Sequence, residues 1–171
     1  MTRIGVISDT HGKLDPRVLD LFENVERIFH AGDIGSGEIL IDLGALAPLT
    51  AVLGNVDAGA EARGLSLMEK VEVDGVWIHL SHGHLHSQAE KRISSVLLGH
   101  AENLPAAAIV GHSHRPYLAE HGGVLFMNPG SASRPKFGHP ASVGFLEIDE
   151  GKVEGRLVDL DGNPLESDVQ I

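Results

Sequence analysis

Asp9-x-His11, Gly32-Asp33, Gly54-Asn55, His82 and Gly111-His112-x-His114 are the residues of this chain whose types and spacing can do chemistry. Imidazole, carboxylate and amide oxygens are donors for hard or borderline divalent ions. The chain has no cysteine, so thiolate zinc sites and disulfides are excluded and any metal must use this donor set. Residues two apart on an extended backbone share a face. On that reasoning Asp9 and His11 address one site together, and His112 and His114 address one site together. Asp33 adds a carboxylate able to bridge two cations, Asn55 an amide carbonyl and His82 a further imidazole. Seven ligands, one of them shared, suffice for two four-ligand sites. Any one of these pairs alone is a weak signal; the ordered set is a strong one.

The elements that carry these residues are strands with polar ends. Arg3–Ser8 reads as a buried strand opening into the Asp9 loop, and Asp15-Pro16 starts a helix that runs to about Asn24. Arg27–Ala31 is a second strand ending at Asp33. A helix from about Glu38 to Leu46 leads to a third strand, Thr50–Leu53, ending at Asn55. Lys70–Val73 and Val76–Leu80 flank Asp74-Gly75, a strong hairpin signal. Ser81-His82-Gly83-His84 follows, then a helix over about Ser87–Ala101 and a strand over Ala107–Val110 that stops at Gly111. Hairpins predicted around Gly122-Gly123 and Glu150-Gly151 complete the chain, with a loose tail from about Asn163. Alternating strands and helices followed by hairpins imply a layered α/β fold, sheet on sheet with helices outside. In such folds ligands gather where strands end, so five loaded ends are expected to converge on one crevice.

Composition narrows the function classes. A length of 171 residues with 42% apolar content suits one domain. The net charge of −11 argues against an extended nucleic-acid surface or a membrane surface, which reward clustered Lys and Arg. No apolar run approaches bilayer length, and the chain opens directly on a strand rather than a signal core, so a cytoplasmic protein is expected. Eleven histidines stand against five Phe, one Trp and one Tyr, which makes the histidines beside Asp, Asn and Gly the ones to explain.

Taken in order, the set from Asp9 to His114 resembles the signature of calcineurin-like metallophosphoesterases. The short length, Asn55-Val56-Asp57 and Asn128-Pro129-Gly130-Ser131 are most similar to the small single-domain branch that holds bacterial and archaeal phosphodiesterases and the retromer subunit related to them. The resemblance implies a βαβ sandwich of two mixed β-sheets flanked by helices. It implies that Asp9, His11, Asp33 and His114 hold one metal, that Asp33, Asn55, His82 and His112 hold the other, and that Asp33 is the bridge. The implied activity is hydrolysis of a small phosphate ester by a metal-bridging hydroxide. Two divalent ions, two carboxylates and a hydroxide leave about one net positive charge, which attracts phosphate in an otherwise acidic protein. Manganese is the expected metal; Fe, Zn, Co and Ni suit the same donors.

In larger members of the superfamily a His follows the metal-binding Asn; here Val56 stands there. Protonation of the leaving group must then come from elsewhere, and His84 is the candidate for contact with substrate or the leaving oxygen. The absence of a His beside Asn55 tilts the expected substrate toward phosphodiesters. Asp57 is expected to orient a ligand histidine or Asn55. His30 is read as a site support or a satisfied strand histidine, and His79, His86, His100, His121 and His139 as structural or exposed. Asn128 to Ser131 fits a type II turn near the crevice, and Arg134 reads as a solvated loop arginine. The alternative function is a protein-binding scaffold of the same fold with a vestigial metal site; a filled ligand set favours catalysis. His82-Gly83-His84-Leu85-His86 does not complete the His-x-His-x-Asp-His run of metallo-β-lactamases. Gly12-Lys13-Leu14 lacks the hydroxyl residue of a phosphate-binding loop.

Overall fold

The structure is a computed structural model describing residues 1–168 and residue 171. Among these residues ten strands form two five-stranded sheets. The first is built from β1 (Thr2–Ile7), β2 (Arg27–His30), β3 (Leu49–Ala51), β9 (Ser142–Asp149) and β10 (Lys152–Asp159), in the order β10-β9-β1-β2-β3. The second is built from β4 (Met68–Val73), β5 (Val76–Ser81), β6 (Ala107–Val110), β7 (Pro116–His121) and β8 (Val124–Pro129), in the order β4-β5-β6-β8-β7. Each sheet is mixed: β1, β2 and β3 run parallel in the first, and β5, β6 and β8 in the second, with antiparallel strands beside them. Strand alternation sorts the apolar residues into layers. Ile4, Val6 and Phe29 from the first sheet meet Ile78, Leu80 and Ile109 from the second in a central core. Ile7 and Ile28 point the other way, toward α1 (Pro16–Leu21) and α2 (Gly37–Leu46), while Ala108 and Val110 pack against α3 (Ala89–Gly99). The result is the expected helix–sheet–sheet–helix layering.

Local chemistry accounts for the element ends. Asp15 caps α1 by accepting the Arg17 N–H, with Pro16 in the first turn, and Ser36 caps α2 by accepting the Glu38 N–H. Helix α1 ends at Leu21, a turn short of the expected Asn24. Phe22 is fully buried, stacked edge-on against Phe145 over Gly5, and the chain leaves the helix there to bury Val25 in the same core. Asp74-Gly75, Gly122-Gly123 and Glu150-Gly151 all have positive φ at both residues, the type I′ pattern that matches strand twist. The segment from Asn163, expected to be loose, is tied down. Asn163 caps Asp159, Leu165 N–H reaches the Leu157 carbonyl, Asp168 N–H reaches the Pro116 carbonyl, and Ile171 is buried. Asn163, Leu165, Ser167 and Asp168 each find a partner on β10 or β7. Val169 and Gln170, which that expectation also covered, lie outside the described residues. No helix among the described residues is long and apolar enough to cross a membrane.

What this architecture does for the site is to bring strand ends together. β1, β2 and β3 are neighbours running the same way, as are β5 and β6, so their carboxyl ends fall at one edge of each sheet. All five loops that begin there carry a candidate ligand.

Candidate metal centre

Two of the ligand loops run side by side. The N–H groups of Asp9, His11 and Gly12 donate to the carbonyls of Gly32, Asp33 and Ile34 at 3.0, 2.9 and 2.7 Å, so the Asp9 and Asp33 loops form one backbone unit. Within it Asp9, His11 and Asp33 have φ of 56°, 46° and 54°, and His112 and His114 across the crevice have 70° and 60°. Left-handed backbone at non-glycine residues is uncommon and costs of order 1 kcal/mol each, and it concentrates at functional sites. The extended backbone assumed from the two-residue spacing is therefore not what positions these side chains.

The side chains gather in two groups: Asp9, His11 and His114 in one, Asp33, His82 and His112 in the other, each with donor atoms mutually within 4.8 Å. The two-residue spacing holds for Asp9 and His11, which share a group, and fails for His112 and His114, which divide between the two. Left-handed turns set the aim of each side chain, so residue spacing says nothing about which group it joins. Asp9 Oδ1 lies 3.1 Å from His114 Nε2 and 3.8 Å from His11 Nε2, and the two histidine Nε2 atoms are 3.3 Å apart. In the second group His82 Nε2 is 3.3 Å from Asp33 Oδ1 and 3.1 Å from Asn55 Oδ1, and Asn55 Oδ1 is 3.0 Å from His112 Nδ1. Asp33 faces both groups, with Oδ2 3.8 Å from His11 Nε2.

Each donor is held by partners on its far side. His82 Nδ1–H donates to the Ala31 carbonyl and His114 Nδ1–H to the Arg134 carbonyl, both at 2.6 Å, which turns each Nε2 toward the crevice. Ser8 Oγ–H and the His112 N–H donate to Asp9 Oδ2 at 2.6 and 3.1 Å, while Ser131 and Ser133 hydroxyls grip the Asp9 carbonyl. The Val56 N–H donates to Asp33 Oδ1 at 3.1 Å. Burial pushes the Asp33 carboxyl up, but the His82 contact, the Val56 N–H and His11 outweigh it and bring its pKa to about 2. Burial likewise opposes Asp9, and the imidazoles of His114 and His82 with the Ser8 hydroxyl still hold it below the usual carboxylate range. Burial, aided by His82 and Arg92, lowers His112 to about 4, so its ring is a neutral donor at neutral pH.

These residues fit divalent metal. Asp9 and Asp33 are buried, at 0% and 2% exposure, and held below the usual carboxylate range, with imidazole rings around them. Asp9 Oδ1 makes no hydrogen bond at all. Two desolvated carboxylates at one crevice leave negative charge that a cation is needed to offset.

Other residues take clear places. Asp57 touches neither a ligand histidine nor the Asn55 side chain, contrary to expectation; its carboxylate accepts the N–H groups of Ile34, Gly35 and Gly54. It joins two ligand loops through their backbones. The His84 ring lies 5.5 Å from that of His82 and 6.4 Å from that of His112, at the edge of the second group. His30, fully buried and lowered to about 3 by burial, bridges Thr10 Oγ1 and the Gly32 N–H between the two loops. His79 pairs with His100, His121 stacks on Tyr117 and His139 pairs with Asp168, all away from the ligand groups. Gly130 has φ of 80° and its N–H is accepted by Asn128 Oδ1, as the turn reading requires, and the Arg134 side chain is exposed while its carbonyl serves His114. Ser8 and Ser133 went unrecognised in the sequence, and Ser131 was read only as part of a turn. Only the adjacency of Ser8 to Asp9 and of Ser131 to the turn offered a signal.

A layered α/β fold whose strand ends carry this donor set defines a metal-dependent hydrolase. The profile of the calcineurin-like phosphoesterase superfamily domain matches residues 2–151. A probable metallophosphoesterase of Methanothermobacter thermautotrophicus is 34% identical over 163 residues, covering 91% of each chain. Phosphodiesterase YfcE of Escherichia coli K12 is 29% identical over 177 residues, covering 87% of this chain and 89% of the relative. The solved E. coli YfcE structure superposes with a TM-score of 0.71 at 26% identity, covering 96% of this chain and 97% of that one. Vacuolar protein sorting 29 of Cryptosporidium parvum superposes at 0.81 with 21% identity, covering 96% and 94%, and so shares the fold. The chain belongs to the calcineurin-like phosphoesterase superfamily and is a metallophosphoesterase.

Proposed function

We propose that residues 1–171 act as one domain that hydrolyses phosphodiesters at a dinuclear centre. One observation carries the reading: Asp33 stands between the two donor groups, with Oδ1 3.3 Å from His82 of one and Oδ2 3.8 Å from His11 of the other. A carboxylate so divided would serve both groups. Asp9, His11, Asp33 and His114 would hold one ion, and Asp33, Asn55, His82 and His112 the other. Such a pair of divalent ions would supply a hydroxide nucleophile at neutral pH and neutralise phosphoryl charge. Manganese is the metal we favour, since the donors mix imidazole with carboxylate and amide oxygen and include no thiolate.

The chain's own residues complete the chemistry. Asn55 stands between His82 and His112, where its amide would meet both the second ion and the ester. His84, whose Nδ1 is buried without a hydrogen-bond partner, is the group we assign to the substrate or its leaving oxygen, where Val56 provides none. The diester preference rests on Val56 and on the likeness to a relative named a phosphodiesterase. A cytoplasmic location completes the reading, in keeping with a chain that has no cysteine to form disulfides. A complete donor set weighs against a docking scaffold with a vestigial site.

The test is cleavage of bis(p-nitrophenyl) phosphate and p-nitrophenyl phosphate by metal-stripped protein, with and without Mn²⁺, alongside Asp33→Asn. We expect cleavage only with metal, faster on the diester, two metal ions per chain, and a loss of about 10³-fold or more in Asp33→Asn. Cleavage that survives stripping, or none with Mn, Fe, Zn, Co or Ni, would overturn the reading.

A further inference from the structure

An apolar cavity of about 150 Å³ opens beside the metal centre, lined by Leu67, Met68, Val96, Val110, Gly83 and His84 among others. Its walls continue directly into ligand loops. Gly83 follows His82 in sequence. Met68 pairs with Ser81 in the β4–β5 register, one residue before His82. The Leu53 N–H donates to the Ser66 carbonyl at 2.9 Å and Val52 bridges Ser66, which sets Leu67 beside the segment that runs into Gly54 and Asn55. The cavity is thus walled by the residues that position Asn55 and His82, with His84 shared between cavity and centre.

Two features keep it in one shape. Arg92, 6% exposed, donates to the carbonyls of Gly83, His86, Ser87 and Ile171 and pins the loop after β5. Gly83 has φ of 82°, and a Cβ there would lie 2.4 Å from Val110 Cγ1, so the loop packs directly onto the cavity floor. The rim is apolar as well: Leu67, Met68 and Leu85 are 51%, 42% and 69% exposed. Large apolar side chains left in water around one opening mark a surface that a ligand covers.

We propose that this cavity seats an apolar alcohol group of the phosphate ester, an aryl ring or short alkyl chain, while its phosphoryl group lies at the donor set. The proposal rests on the phosphodiesterase reading above. A cavity of this size accepts about one six-membered ring. Most polar groups on its wall are already engaged: Arg92 by carbonyls, His79 by Ser81 and His100, and the Ser95 hydroxyl by the Arg92 carbonyl. Each methylene buried there is worth about fourfold in affinity, the equivalent of about 0.8 kcal/mol.

Calorimetric titration of the Mn-loaded protein with methylphosphonate, butylphosphonate and phenylphosphonate tests this, since each probe carries one organic group. The expected result is at least tenfold tighter binding of phenylphosphonate and butylphosphonate than of methylphosphonate. That advantage should fall below about threefold in Val96→Phe, which fills the cavity, and in Leu67→Asp, which sits on the half-exposed rim and leaves the core untouched. Equal affinities in the wild type, or an advantage unmoved in both variants, would overturn the subsite. Because Mn-dependent diester cleavage is measured on the same preparation, cleavage with equal affinities defeats this proposal alone, whereas no cleavage with any metal defeats the reading beneath it.

Discussion

Oδ1 of Asp57 accepts the backbone N–H of Ile34 at 2.8 Å. The same oxygen takes the Gly35 N–H at 3.0 Å, and Oδ2 takes the Gly54 N–H at 2.8 Å. One carboxylate therefore ties the loop that carries Asp33 to the loop that carries Asn55. Asp57→Ala removes the acceptor of three N–H groups at once. Hydrogen bonds to a charged group are worth roughly 1.5–3 kcal/mol, so the metal-free protein should melt about 4–8 °C lower for a loss near 2 kcal/mol. Metal retention should fall with it. Calorimetric melting with and without Mn²⁺ checks both, and Asp57→Asn, which keeps one acceptor oxygen, should lie between. An unchanged melting temperature would show that the loops do not depend on this residue.

Gly54 leaves space for Asp33. A Cβ at Gly54 would sit 2.1 Å from both the backbone N and Oδ1 of Asp33, too close for any real contact. Gly54→Ala should displace Asp33 and abolish metal binding while costing about 1–3 kcal/mol of stability. Elemental analysis of the folded, metal-equilibrated variant is the check; two ions per chain in that variant would contradict the bridging geometry.

His79 gives the metal-free protein a pH signature. Burial, with His100 beside it, lowers its pKa to about 4, whereas the unfolded residue titrates near 6.5. Between those values the unfolded chain holds a proton that the folded chain does not, so stability falls as pH drops from about 6.5 to about 4, by at most about 1.4 kcal/mol per pH unit. Urea unfolding of stripped protein at several pH values should show a shallower acid slope in His79→Gln than in the wild type. Identical slopes would mean that His79 is not held neutral by the fold.

His84→Ala separates leaving-group assistance from metal binding. With two ions still bound, we expect a loss of about 10²-fold in kcat for diesters whose leaving alcohol needs a proton. The loss should be much smaller when p-nitrophenolate leaves. An equal rate for both leaving groups in variant and wild type would remove His84 from the reaction.

The strand-end logic of the sequence carried over well. Asp9, Asp33, Asn55, His82 and His112 do each follow a strand, and the two sheets do bring those ends together. What spacing alone misjudged was aim. His112 and His114 stand two apart yet serve different groups, because both adopt left-handed backbone and nothing in a non-glycine residue announces that conformation. Asp57 was singled out for a role beside the ligands, and its true partners, three backbone N–H groups from two loops, have no side-chain signature. The apolar cavity was equally invisible, since Leu67, Val96 and Val110 are far apart in sequence and read as ordinary core or surface residues until Gly83 brings their elements together. The fixed tail is a similar case, its polar residues meeting open carbonyls and N–H groups on Pro116, Leu118 and Leu157.

Each donor group draws on both sheets. Asp9 and His11 extend from the first and His114 from the second; Asp33 extends from the first and His82 and His112 from the second. An ion in either group would rivet the two halves of the sandwich at one end, closing a chain loop of the kind that a disulfide closes in a secreted protein. For a chain without cysteine, the catalytic cofactor would then double as its fastener. Chelation would loosen the sandwich at its crevice end, and the stability of the folded enzyme would follow the local supply of metal along with its turnover.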